Sequence, residues 1–418
     1  MKSRRTFFRD LGLASTAGLI SSRALGMDAW PQWRGPERTG LLDSASPWPD
    51  SLQADTLQSV WEVALGPSYS GPVTDGRVVV TTETVDQRDE RVTAYTLESG
   101  ALLWSAQWPG AMSVPFFAKA NGDWIRSTPA IDGDDLIVGG MRDVIVSLRL
   151  ADGQERWRMD FPEATGSPLP PFGFVCSPLI DGDGVFVQAA NALLKLDRAS
   201  GKTVWTSMQT PDDMMSSGSF SSPLIATVAG IRQLVVQSRT ELAGVALDSG
   251  EVLWREAIPA FRGMNILTPT VIGENRIFTS AYGGRSLMFE IQPSDSGFKP
   301  ELVWENKQQA YMSSPVVIDN HIYTHLRNQR FVCLNAADGT ECWTTKPFGQ
   351  YWSMVAQGTR ILALDSGGEL LLIEANPKEF TLVDRRKIGD NTWAHLGLSQ
   401  PYVLVRDLER LMAFRWAA

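Results

Sequence analysis

From Ser177 to Trp205 the chain reads SPLIDGDGVFVQAANALLKLDRASGKTVW. Apolar residues come in short runs: PLI, then VFV, then ALLKL, then TVW. Gly- and Asp-rich breaks at DGDG and RASG separate them. Runs of this length bounded by turn residues predict antiparallel strands joined by hairpins. Glycine in the turns supplies a positive φ at low steric cost. No 15-residue stretch after the N-terminal region holds a 3.6-residue apolar period free of Gly or Pro, which argues against helices.

The pattern then repeats. LESGALLW (97–104), LADGQERW (150–157), RASGKTVW (198–205), LDSGEVLW (247–254) and AADGTECW (336–343) each place a glycine four residues before a tryptophan. Trp61, Trp104, Trp157, Trp205, Trp254, Trp304 and Trp343 are spaced by 43, 53, 48, 49, 50 and 39 residues. Such a period fits four-stranded propeller blades. Most units open on Gly-Pro or Ser/Thr-Pro, at Pro72, Pro129, Pro178, Pro223, Pro269 and Pro315. Proline cannot donate to a ladder and so marks the start of an inner strand.

Units start near Tyr69, Ser127, Ser177, Ser221, Thr268, Ser313, Ser353 and Ala394. The seventh lacks the tryptophan, and Phe380 is expected in its place. The eighth stops one strand short, while LQSVWEVAL (57–65) has an outer strand with nothing before it. The expected fold is therefore all-β: an eight-bladed propeller over 57–418, closed by its N-terminal strand. Closure removes the exposed edge of an open array.

The G-x-x-x-W repeat and the count of eight resemble the pyrroloquinoline quinone (PQQ)-type β-propeller repeat. That superfamily includes the quinoprotein alcohol dehydrogenases and the propeller subunit of the outer-membrane β-barrel assembly machinery. WPQWRGPERTG (30–40) resembles a subgroup of exported PQQ-like repeat proteins without an established activity. Fold of this kind does not imply function.

Residues 1–26 read as a twin-arginine export signal: Ser3-Arg4-Arg5-Thr6-Phe7-Phe8-Arg9, an apolar stretch from Leu11 to Ile20, and small residues before Met27. Residues 27–56 then lead into the propeller. The implied location is periplasmic or extracytoplasmic and soluble, with no membrane span. No lipid anchor is expected, since no cysteine precedes Cys176. The formal net charge is −9, and −13 without the signal, which carries five basic residues and one acidic. An acidic chain without basic runs argues against nucleic acid and anionic membrane partners. A monomer is expected.

Cys333 and Cys342 flank one predicted hairpin turn. If it centres on Ala337-Asp338 they face each other, and the reading is either a cross-strand disulfide or two free thiols. Cys176 reads as a small core residue.

Loops entering the inner strands gather around one mouth of a propeller channel. Here they carry Tyr69, Trp124, Phe174, Phe220, Tyr311, Trp352 and Trp393, with Arg126, Arg262, Asn265 and His395 as polar groups. An aromatic mouth with a few polar groups is the default ligand site; each aromatic also fits a role capping the core between blades. The resemblance implies, for an enzyme, adjacent cysteines, a Glu/Asn/Asp calcium site and an aspartate base. No Cys-Cys occurs, and Asp212-Asp213 and Asp390-Asn391 read as solvated turns. His321 and His325, four apart on a strand, stand about 13 Å apart, too far to share a metal ion. The expected function is a non-enzymatic exported scaffold that binds an envelope protein, peptide or glycan, without cofactor or metal. The alternative is a quinoprotein oxidoreductase using PQQ with calcium on alcohols or sugars.

Overall fold

The computed structural model describes residues 29–43, 46–213, 218–295 and 297–417. The signal reading falls outside them. Eight four-stranded antiparallel sheets form a closed propeller. Seven run from inner to outer strand in chain order. The eighth is completed by Leu57–Ala64, which pairs with Arg410–Trp416. We number the blades one to eight from the sheet that begins at Val73–Thr74.

Burial explains the hydropathy pattern strand by strand. The middle strands of blade three, Gly184–Ala189 and Ala192–Asp197, are buried almost throughout. They pack between neighbouring blades on both faces and read as continuous apolar runs. The outer strand Thr203–Ser207 is largely exposed on alternate residues. Inner strands are as short as two or three residues, as at Val73–Thr74 and Leu179–Asp181.

The glycine and the tryptophan of the repeat act between units. Gly100, Gly153, Gly201, Gly250 and Gly339 each lie against the indole of the preceding blade: Trp61, Trp104, Trp157, Trp205 and Trp304. The same indoles donate Nε1–H to the next blade's turn carbonyls at Leu97, Leu150, Arg198, Leu247 and Ala336, at 2.8–3.1 Å. Trp343 reaches the Asn376 carbonyl at 2.8 Å. Trp254 departs from the pattern and donates to Gln233 of its own blade at 2.7 Å.

A β-bulge immediately precedes this position in all eight blades. In blade seven it places Asp384, not Phe380, in the tryptophan's register, opposite Leu372. Asp384 accepts hydrogen bonds from Leu52 N (2.7 Å) and Gln53 Nε2 (3.0 Å), while Phe380 packs edge-on to Trp343. In blade six the bulge corrects the cysteine pairing. Leu334 faces Glu341, but one step on Cys333 faces Trp343, so Cys342 is the extra residue of the bulge. All three cysteines are free thiols. Burial, then the neighbouring Cys342, pushes the Cys333 thiol up to about 12.

The Ser/Thr before each proline also has a task. Gly71 N donates to Thr128 Oγ1, Thr128 N to Ser177 Oγ, Ser177 N to Ser222 Oγ and Ser222 N to Thr268 Oγ1, all at 2.9–3.2 Å. These bonds stitch one inner strand to the next around the channel.

Residues 30–42 cross that channel. Trp30 bridges to Thr74, Ile131 N donates to the Pro31 carbonyl, and Leu42 N donates to the Ala356 carbonyl. Arg38, 3% exposed, gives its guanidinium to the carbonyls of Ser177, Pro178 and Pro223. Arg34 reaches those of Thr39 and Pro315. The two arginines of WPQWRGPERTG thus meet the carbonyls of the proline-marked inner strands. From Ser46 the chain runs under blades seven and eight, with Trp48 stacked on Trp416, to the closing strand.

Candidate functional site

Above the channel segment, on the face where each outer strand hands over to the next inner strand, lies a cavity of about 180 Å³. Trp33 forms part of its floor and meets His395 edge-on at 5.1 Å. Burial, with Arg34 nearby, holds the His395 imidazole neutral, its pKa down to about 3. Its Nδ1 lies 3.3 Å from Ser353 Oγ.

Aromatic rings circle the opening in two arcs. The first runs Trp124–Tyr69–Trp393–Tyr351–Tyr311–Tyr282, with successive centroids 5.8, 4.9, 4.2, 5.5 and 4.8 Å apart. Arg327 caps it, 4.2 Å over Tyr282. The second runs Phe116–Phe117–Phe172–Phe220, at 5.6, 5.9 and 5.3 Å, with Arg239 4.6 Å over Phe220. Phe116 is 87% exposed. Rings held against one another lose little freedom when a ligand stacks on them. Burial, then the neighbouring tyrosines, raises the Tyr311 phenol well above its usual range, so it stays a neutral donor.

Of the sequence-predicted residues, Tyr69, Arg126, Tyr311, Trp352, Trp393 and His395 border this cavity together with Phe220. Trp124 stands behind Tyr69 and walls an adjoining hollow. Two placements are corrections. Phe174 is buried in the core between blades two and three, where it lies against Gly139. Asn265 is fully buried, and its Nδ2 brackets the carbonyls of Arg239 and Ile258 at 3.0 Å each. Trp352 shows only an edge: it is 2% exposed and packs with His325, Phe331 and Phe348. Arg262 sits exposed on the rim over Phe261.

Sequence reasoning missed Tyr351, Tyr282, Phe172 and the floor residue Trp33. Tyr351 adjoins Trp352 and adopts a positive φ of 48°, which turns its ring to the mouth while Trp352 turns inward. Nothing in a two-residue aromatic pair says which member faces out.

Among the described residues no three His, Cys, Asp or Glu side chains converge as metal ligands. Among the described residues Arg126 is the one charged side chain that lines the cavity. His321 and His325 occupy the two ends of one strand.

A family profile described as "Outer membrane protein assembly factor BamB" matches residues 88–345. Relatives include the outer membrane protein assembly factors BamB of Yersinia pestis and of Moranella endobia (strain PCIT). The first is 21% identical over 315 residues, 72% of this chain and 73% of the relative. The second is 22% identical over 347 residues, 79% and 83%. The fold is shared with BamB from Moraxella catarrhalis at a TM-score of 0.58 and 16% identity, over 86% of this chain and 98% of that one. It is also shared with a quinohemoprotein alcohol dehydrogenase, ADHIIG of Pseudomonas putida HK5, at 0.62 and 10%, over 93% and 80%. At these identities the likeness to solved structures concerns the fold alone.

Proposed function

Because the chain belongs to the family described as outer membrane protein assembly factor BamB, we propose that it is a non-enzymatic envelope scaffold acting in outer membrane protein assembly, holding a protein segment at its aromatic mouth. The observation that carries this reading is the arc from Trp124 to Tyr282: stacked and tilted rings packed one against the next around an open cavity, with no cluster of three metal-ligating side chains among the described residues. Aromatic platforms of this kind serve as anchors for polypeptide segments. In this proposal residues 1–26 act as a twin-arginine signal, which would carry the chain out of the cytoplasm. No helix among the described residues is long and apolar enough to cross a membrane.

A deletion strain tests the role. Folded outer-membrane β-barrel proteins should fall in abundance and return with the wild-type gene, but not with Tyr351→Ala combined with Trp393→Ala. Unchanged barrel levels and envelope permeability would overturn the reading. The scaffold works without a redox cofactor in this proposal. Stoichiometric PQQ uptake in calcium, followed by absorbance, would overturn that part; tighter binding of oligosaccharides than of peptides would reassign the mouth to glycans.

A further inference from the structure

We propose that the mouth recognises a polypeptide group in which an aromatic ring and a carboxylate lie side by side, the ring entering the aromatic arc and the carboxylate meeting Arg126. The inference rests on the reading of the mouth as a protein-binding site and narrows its ligand.

Arg126 is largely buried, and it is held rigidly by its own loop. Its Nη2 donates to the Gly122 carbonyl at 2.7 Å and its Nε to the Trp124 carbonyl at 3.3 Å. Its Nη1 has no hydrogen-bond partner among the described residues, and no carboxylate there forms an ion pair with it. Burial lowers its pKa to about 10 against the favourable pull of Tyr69 and then of Asp123, so the guanidinium remains cationic at neutral pH. The contrast with the other buried arginines is informative. Arg38 is surrounded by three carbonyls, and Arg406 is closed in by the carbonyls of Asp407 and Gly66. Arg38 also borders an open cavity, but carbonyls occupy its donors, whereas Arg126 borders the aromatic-lined one with Nη1 unpartnered among the described residues. A buried cation without an anion is unfavourable, and an incoming carboxylate would offset that with a charge-assisted hydrogen bond. Among the described residues no second cation lines the cavity, which suits a single carboxylate rather than a phosphate dianion. Tyr69, next to Arg126 and stacked on Trp393, places the ring-binding surface beside the anion-binding one.

The carboxylate could come from a chain terminus or from an acidic side chain beside an aromatic one. Three probes separate the cases: N-acetylphenylalanine, its amide, and acetyl-Phe-Glu-amide, titrated by saturation-transfer NMR into the purified protein. Both acids should bind about tenfold tighter than the neutral amide. That preference should shrink with added salt in the wild-type protein, a readout that needs no variant. Arg126→Gln should abolish the preference and leave amide binding in place, and Arg126→Lys should keep part of it; thermal melts confirm that each variant folds. A tighter N-acetylphenylalanine points to a chain terminus, and a tighter acetyl-Phe-Glu-amide to a side chain. Equal binding of acid and amide, with Tyr69→Ala weakening both, overturns the carboxylate inference and leaves the protein-binding mouth standing. Binding of none of the three overturns both.

Discussion

Gly250 lies flat against the indole of Trp205 in the preceding blade: a Cβ at residue 250 would come within 2.7 Å of the ring. The motif that repeats along the chain is therefore half of one latch and half of the next. Gly250 also has a φ of +73°, which disfavours any other side chain there. Trp205→Ala should cost about 3–5 kcal/mol. Gly250→Val should cost about 2–4 kcal/mol through strain and overpacking. The two together should cost clearly less than their sum, because the smaller residue vacates the space the larger one needs. Urea melts of the four proteins in the cycle measure this; strict additivity would show that the contact carries no energy.

Tyr351 and Trp352 are neighbours with opposite duties. Trp352→Ala should destabilise by about 3–5 kcal/mol, since it empties a packed aromatic site. Tyr351→Ala should cost under about 1 kcal/mol and weaken ligand binding instead. Melts paired with binding measurements check the split, and a large stability loss for Tyr351→Ala would place that ring in the core.

Arg38 is a cation caged by carbonyls. Arg38→Met keeps much of the volume and leaves three buried oxygens without a donor, at about 3 kcal/mol or more. Arg38→Lys should recover only part, because one ammonium cannot reproduce the planar fork. Chemical denaturation of both variants tests it; a neutral Arg38→Met would mean that the carbonyls find other donors.

Glu90 is buried and accepts from Trp108 Nε1 (3.1 Å) and Met141 N (2.6 Å). Burial outweighs these bonds and lifts its pKa from 4.5 to about 7. The folded state thus holds a proton more tightly than the unfolded chain. The resulting stability is fully present below about pH 4.5 and is lost as pH rises through 7. Between pH 5 and 8 the wild-type protein should lose about 2–3 kcal/mol relative to Glu90→Gln. Taking the difference between the two proteins removes the opposite slope from His325 and His395, whose pKa values fall to about 4 and 3.

With Cys342 displaced into a bulge, thiol titration of the protein purified without reductant and unfolded in denaturant should count three thiols. A count of one would restore the Cys333–Cys342 bridge.

The blade count, the unit boundaries and the closing strand were legible because they rest on local signals: turn residues, strand-length apolar runs and a repeat. The partner of each repeat residue was not, because glycine and tryptophan meet across units, and spacing within a unit carries no trace of that. The bulge is equally silent: Leu334 and Glu341 pair as a regular hairpin requires, and the slip comes one residue later. At the mouth, loop composition found Tyr69, Tyr311 and Trp393, whose rings have nowhere else to go. It misplaced Phe174 and Asn265, since a loop long enough to reach the rim is also long enough to fold back under it. The role of 30–42 was hidden for a further reason. A segment without strand or helix periodicity reads as a linker, yet its arginines and tryptophans are fixed by carbonyls and rings from five other parts of the chain.

Leu57–Ala64 and Arg410–Trp416 pair at opposite extremes of the polypeptide. During synthesis the channel segment and the closing strand leave the ribosome before any blade is complete, and the strand they await follows only after the other seven blades. Until then seven blades have no fixed circumference, and one edge remains available to any passing strand. Completion of the ring therefore waits until Arg410–Trp416 has been made. A translocation route that carries finished proteins can begin only after it, whereas a route that threads the chain postpones it to the far side of the membrane.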